Sequence, residues 1–233
     1  MKIEMLYPEV CNLFGDVSNI KYLKKCVPEA EIIETEINSE PAFVKQDVDM
    51  VYMGPMPENI QEMAINKLKP YKERIKELIN NNVVFLVTGN AIEVFGKYIE
   101  NEDGSKIEGL SIFNTCAKRD MMHRHNSIFL GTYEDIEIVG FKSQFTMSYG
   151  NLQGNYFSKA EIGIGLNSET SLEGIKEHNF IGTYLIGPIL ILNPLLTKKI
   201  LKMMGCNNVN IAFEEETMAA YNQRLEEFKA SNK

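Results

Sequence analysis

At 233 residues, with 44% hydrophobic and 24% charged side chains, the chain is long and apolar enough to bury a sizeable core. A net charge of −8 excludes electrostatic capture of nucleic acid or an anionic membrane as its main business, because phosphate contacts need clustered Lys and Arg. No window reaches the ~20 consecutive apolar residues of a membrane span, and the start MKIEMLYPEV has no apolar signal-peptide core, so a cytoplasmic location is expected.

In chain order, KIEMLY (2–7) reads as a strand, 19–26 as a short helix, and AEIIETEI (30–37) and DVDMVYM (47–53) as further strands. Within 58–82, Ile60, Met63, Ala64, Leu68, Ile75, Leu78 and Ile79 recur at helical spacing around Pro70, which predicts one kinked helix or two. VVFLV (83–87) is uniformly apolar, as a central parallel strand covered on both faces must be, and AIEVFGKYI (91–99) reads as a helix after it. Strand and helix alternating in this way imply right-handed crossovers and a doubly wound α/β layer.

The second half is richer in strands: GLSIF (109–113), NSIFLGTY (126–133), EIVGFKSQFTMSYG (137–150), AEIGIGL (160–166) and FIGTYLIGPILI (180–191). Helices are expected at 195–204 and 214–229, the second opening on an acidic cluster suited to a helix N-terminus. No repeat or low-complexity linker divides the chain, so a single domain over 1–233 is expected. Cys11, Cys26, Cys116 and Cys206 lack CxxC spacing, which suggests neither a zinc site nor a disulfide framework, and no metal or cofactor is expected.

Six segments together resemble one family. They are LYPEVCNLFGDVSNI, VDMVYMGPMPENIQ, VVFLVTGNAIEVFGKYI, DGSKIEGLSIFNT, IVGFKSQFTMSYGN and GTYLIGPILILNPLL. The chain resembles the class I glutamine amidotransferases, in their cobyric-acid-synthase-like branch, and within it the amidotransferase subunits of the lipid II isoglutaminyl synthase type. The resemblance implies a flavodoxin-like, mostly parallel doubly wound sheet with extra strands in the C-terminal half. It also implies hydrolysis of glutamine beside a Mur-ligase-like partner. That chemistry uses a cysteine on a sharp strand-to-helix turn, an oxyanion stabilised by backbone amides, and a histidine base from a late strand.

At the matching positions this chain carries none of the reacting groups. Anchoring the elbow on Gly96 puts Gly89 at the nucleophile position, and the family's GTYLHGP reads Gly182 to Pro188 with Ile186 in place of the histidine. The loop that donates to the oxyanion reads Met53-Gly54-Pro55-Met56-Pro57, and two prolines remove two amide donors. A turn resembling GFENH reads Gly140 to Gln144, with Lys142 where an acid is expected. Losing the nucleophile of a triad hydrolase costs on the order of 10⁶ in turnover.

Two residues are candidates for a relocated nucleophile: Thr88, in a shifted register, and Cys116, with His123 or His125 as base. The plainer expectation for Cys116 is a half-buried structural thiol. His123-Arg124-His125 offers two imidazoles for a metal but no third ligand at suitable spacing, and His178 is expected to be ordinary. Lys118, Arg119 and Arg124 form a small basic cluster. The tail helix presents Met218, Tyr221, Leu225 and Phe228 on one face, expected to pack on the domain itself. Three functions remain: a glutaminase-dead binding or regulatory subunit, an active amidotransferase with a relocated nucleophile, and a binder of glutamine or another amino acid in a pocket formed by Gly54, Asn90, Glu93 and Gln144.

Overall fold

The run predicted as a central strand is the middle of a six-stranded sheet, in a computed structural model that describes residues 1–152, 154–207 and 209–231. In chain order the first half supplies β1 (Lys2–Leu6), α1 (Ser18–Cys26), β2 (Glu31–Thr35), β3 (Met50–Met53), α2 (Glu58–Leu68), α3 (Lys72–Asn80) and β4 (Val84–Thr88). The second half supplies β5 (Tyr98–Glu100), β6 (Lys106–Glu108), β7 (Thr115–Arg119), β8 (His125–Tyr133), β9 (Ile136–Gln144) and β10 (Thr146–Gly150). It continues with β11 (Ser158–Ile162), β12 (Leu172–Glu173), β13 (Ile175–Glu177), β14 (Phe180–Thr183), α4 (Ile189–Leu192), α5 (Pro194–Met203) and α6 (Glu214–Ser231).

The main sheet has the order β13-β14-β4-β3-β1-β2. Its strands run parallel except β13, which pairs antiparallel with β14 at the edge. Alternation along β4 divides the core in two: Phe85 and Val87 join α2 and α3 on one face, and Val84 and Leu86 join α1 and α5 on the other. Burial on both faces is why this strand has no polar alternation. The second half adds two four-stranded sheets, β10-β7-β5-β6 and β12-β11-β8-β9. Helix α6 lies on β8 and β9, where Tyr221, Leu225 and Phe228 meet Leu130 and Val139 as the amphipathic pattern predicts.

Several local expectations change. The helical segment at 58–82 takes the two-helix form of its expectation, joined by a 3-10 turn at Lys69–Tyr71 that holds Pro70. The helix read at 91–99 is instead a seven-residue 3-10 turn, Gly89–Phe95, followed by β5, because Gly96 leaves the helix with extended backbone. GLSIF is an irregular segment whose Leu110, Ile112 and Phe113 amides donate to Val94 and Phe95 carbonyls. AEIGIGL remains strand only to Ile162, and the strand of FIGTYLIGPILI stops at Thr183. There Gly187, at φ +84°, and Pro188 turn the chain into α4. Among the described residues, no helix is long and apolar enough to cross a membrane.

Candidate functional site

Three parallel strands of the main sheet end at one crevice, the usual place for a site in an open α/β sheet. From β3 comes the loop Gly54–Pro57, from β4 the turn at Gly89, and from β14 the segment Tyr184 to Pro188. Gly89 sits at φ +58°, a left-handed conformation that glycine adopts freely and a nucleophile elbow imposes on its nucleophile. Ile186 faces it. A Cβ built on Gly89 would lie 3.4 Å from Ile186 Cγ2 and 2.5 Å from Pro55 Cβ. The two positions that the sequence pairs as vacated nucleophile and vacated base are therefore brought together, with hydrocarbon between them.

The cleft above this point holds only about 60 Å³, against the ~300–1,000 Å³ common for small-molecule sites. Leu13, Phe14, Pro55, Tyr184 and Ile186 line it, with Glu58, Arg124, Ser143 and Gln144 among its polar walls. None of its lining residues carries a thiol or an imidazole. Donors for an oxyanion are also few: Pro55 and Pro57 have no N–H, and the Met56 amide donates to Asn90 Oδ1 at 3.0 Å.

The four expected pocket residues are placed unequally. Asn90 and Gln144 line the cleft, but Gly54 and Glu93 do not. Both ends of the Asn90 amide are engaged, since its Nδ2 also donates to the Met56 carbonyl at 2.7 Å. Gly54 is pressed into the N-terminal loop, where a Cβ would come within 2.5 Å of the Cys11 carbonyl oxygen. Gln144 donates to the Thr146 carbonyl at 2.7 Å. Glu93 is buried one turn beyond the elbow, accepting from Gln61 Nε2 at 2.8 Å and from the Tyr184 hydroxyl at 3.0 Å. Burial pushes its carboxyl up to about 7, against the downward pull of those two donors and of Arg119.

The candidates for a relocated nucleophile do not meet a base in the cleft. Thr88 is buried and donates its hydroxyl to Asp16 Oδ2. The same oxygen accepts from Tyr52 at 2.7 Å, and Asn19 ties the Asp16 carbonyl at 2.9 Å. Burial raises the Asp16 carboxyl above the ordinary range against the pull of Thr88, Tyr52, Gly187 and Asn19. Cys116 is half-buried on β7, in a depression lined by Lys97, Tyr98, Asn114 and Tyr149, while His123 and His125 line a different one. His123 bonds Asp120 at 2.9 Å and His125 bonds Ser127 at 3.0 Å. No metal-ligand cluster occurs among the described residues. His178 is an exposed turn residue at φ +49° between β13 and β14.

The basic cluster disperses. Lys118 lies near Glu100, Arg119 donates to Gln61 and to the Glu58 carbonyl, and Arg124 stacks on Phe145 at the cleft. Two polar assemblies escaped sequence reasoning. One is the Gln61–Glu93–Tyr184 hub, extended to Ser148, whose hydroxyl is 2.7 Å from that of Tyr184. The other joins Lys142 to Glu173, both wholly buried; Lys142 also donates to the Gly165 carbonyl at 2.5 Å. Glu173 in turn accepts from the Thr183 hydroxyl and the Tyr184 amide, each at 2.8 Å. Desolvation lowers the Lys142 ammonium's pKa and the Glu173 charge opposes that. Lys142 was legible as a departure from the family turn, but nothing in the sequence pointed to a partner 31 residues away.

Comparison with known proteins agrees with this architecture. The chain is 28% identical over 205 residues to a Staphylococcus aureus protein named lipid II isoglutaminyl synthase (glutamine-hydrolyzing) subunit GatD, covering 87% of this chain and 83% of that protein. The Streptococcus pneumoniae protein of the same name is 25% identical over 209 residues, covering 86% and 78%. Among solved structures, a glutamine amidotransferase from Thermotoga maritima superposes with a TM-score of 0.53 at 9% identity, over 98% of this chain and 85% of that one. Another glutamine amidotransferase gives 0.58 at 10% identity, over 87% and 99%. Residues 2–193 match the CobB/CobQ-like glutamine amidotransferase domain, and the chain belongs to that family.

Proposed function

We propose that this chain is a glutaminase-dead member of its family, serving as a binding or regulatory subunit. The observation that carries the reading is the pair Gly89 and Ile186, which face each other beyond the ends of β4 and β14 and neither of which carries a group able to attack a carbonyl or move a proton. Covalent catalysis of amide hydrolysis needs a nucleophile with a base in reach. The buried Thr88 hydroxyl, directed at Asp16, does not supply one to the cleft. The relatives are named as subunits of a lipid II isoglutaminyl synthase, which supports a role beside a second protein; the partner proposed is a Mur-ligase-like protein in the cytoplasm.

The test is ammonia release from glutamine by the purified chain, alone and with that ligase. The expected rate is indistinguishable from buffer. Release at an ordinary enzymatic rate, on the order of 1–10³ s⁻¹, sinks the reading. Modification of Thr88 or Cys116 by 6-diazo-5-oxonorleucine, mapped by mass spectrometry, would restore the relocated-nucleophile alternative. Amino-acid binding is the second alternative. It is disfavoured by the cleft's volume of about 60 Å³ and by the engaged amide of Asn90.

A further inference from the structure

The missing thiol at Gly89 has not left an open space. Pro55 Cβ stands 2.5 Å, and its Cγ 3.3 Å, from where the first side-chain carbon of residue 89 would be. Carbon atoms in contact sit near 3.5–4.0 Å, so one of the two must move before any side chain fits. Pro55 is poorly placed to move. Gly54 before it is packed against the Cys11 carbonyl. The Pro55 carbonyl accepts from the Leu13 amide at 3.0 Å. Met56 after it is held at both its amide and its carbonyl by the Asn90 side chain, at 3.0 and 2.7 Å. Asn90 is the residue directly after Gly89, so the elbow itself grips the loop that covers it.

We propose that Pro55 is a plug occupying the volume of the lost nucleophile, that Asn90 clamps it, and that the elbow therefore cannot be re-armed by restoring residue 89 alone. The proposal rests on reading Gly89 as a vacated nucleophile position. It assigns Asn90 a closing role in place of ligand contact, and it makes Pro55 the residue that decides whether the elbow can carry a side chain. Alanine is not enough to relieve the contact, because the clashing atom is Cβ; glycine is required.

The experiment uses no glutamine. Gly89→Ala is made in the natural chain and in the Pro55→Gly background, and the fall in Tm is compared. The expected fall is several degrees with Pro55 present and less than half as large with Pro55→Gly, the remainder reflecting the left-handed backbone. Equal falls in the two backgrounds overturn the plug. In a second measurement Gly89→Cys is treated with iodoacetamide in each background. The thiolate displaces iodide, forming the S–C bond as the C–I bond breaks, with the thiol proton going to buffer, and peptide mapping reads position 89. Alkylation at least tenfold faster with Pro55→Gly is expected, and equal rates overturn the proposal. Folding of the double variant where Gly89→Cys alone fails supports it, whereas failure of both counts against it. Adding Asn90→Ala to Gly89→Cys should also speed alkylation; no change removes the clamp. Hydrolysis of glutamine by the natural chain would sink the functional reading and leave the steric result standing, so the two failures are separable.

Discussion

The two sides of the elbow have opposite chemistry. Toward the cleft, the atoms nearest to where a side chain on Gly89 would start are hydrocarbon, from Pro55 and Ile186. On the inner side, within a few residues, Asp16 is hydrogen-bonded by Tyr52 and Thr88, and Glu93 by Gln61 and Tyr184. Asp16 and Glu93 lie in the interior, held by hydrogen bonds, while Gly89 and Ile186 at the cleft carry no group that can transfer a proton. Reactive side-chain types are thus no guide to reactivity: their orientation and access decide, and here both point inward.

The largest expected effect comes from the inner side. Lys142→Met strands the Glu173 carboxylate in a site with no exposure, and should cost about 3–5 kcal/mol in urea unfolding. A loss below about 1 kcal/mol would mean that Glu173 reaches water once its partner goes.

Next comes a pH dependence. The Glu93 carboxyl is raised from 4.5 to about 7 in the fold, so between those values the folded chain holds a proton that the unfolded chain has released. Its contribution to stability is present in full below about 4.5, is lost as the pH rises to about 7, and is flat beyond. The amplitude is of the order of 3 kcal/mol. Subtracting the profile of Glu93→Gln from that of the natural chain isolates it, and a level difference across the window would contradict the raised carboxyl.

Tyr52→Phe removes one of the donors to Asp16 and should cost about 1–3 kcal/mol, readable as a lower denaturation midpoint. On the cleft side the expected effect on activity is nil: Ile186→His places an imidazole over a glycine, and ammonia release should not rise above buffer. A measurable gain would show that a nucleophile exists which the geometry around Gly89 does not reveal.

Much of the scaffold was legible because two-sided burial leaves a plain mark. Val84 to Val87 are apolar without alternation, and each residue goes to one of two cores. The 3-10 turn Gly89–Phe95 imitates a helix in sequence because AIEVF has helical spacing, but it packs against all three sheets and Gly96 ends it. The apolar run FIGTYLIGPILI is strand only to Thr183, and its apolar content hides the turn at Gly187 and Pro188. In the site, Gly89 and Ile186 could be placed because both follow strands with recognisable flanks. The missing amide of Pro55 is plain in the sequence, yet its position over Gly89 depends on three strands meeting, which spacing does not encode. For the same reason Gln61 and Arg119, 58 residues apart and bonded to each other, gave no signal.

The Lys142–Glu173 pair also bears on how this lineage can change. It connects β9 and β12 to the end of β14 through Thr183 and Tyr184. An acid at position 142 would set two carboxyls against each other beneath β14. Changing either residue alone leaves one buried charge unmatched. In relatives of this chain a lysine at 142 should therefore travel with an acid at 173.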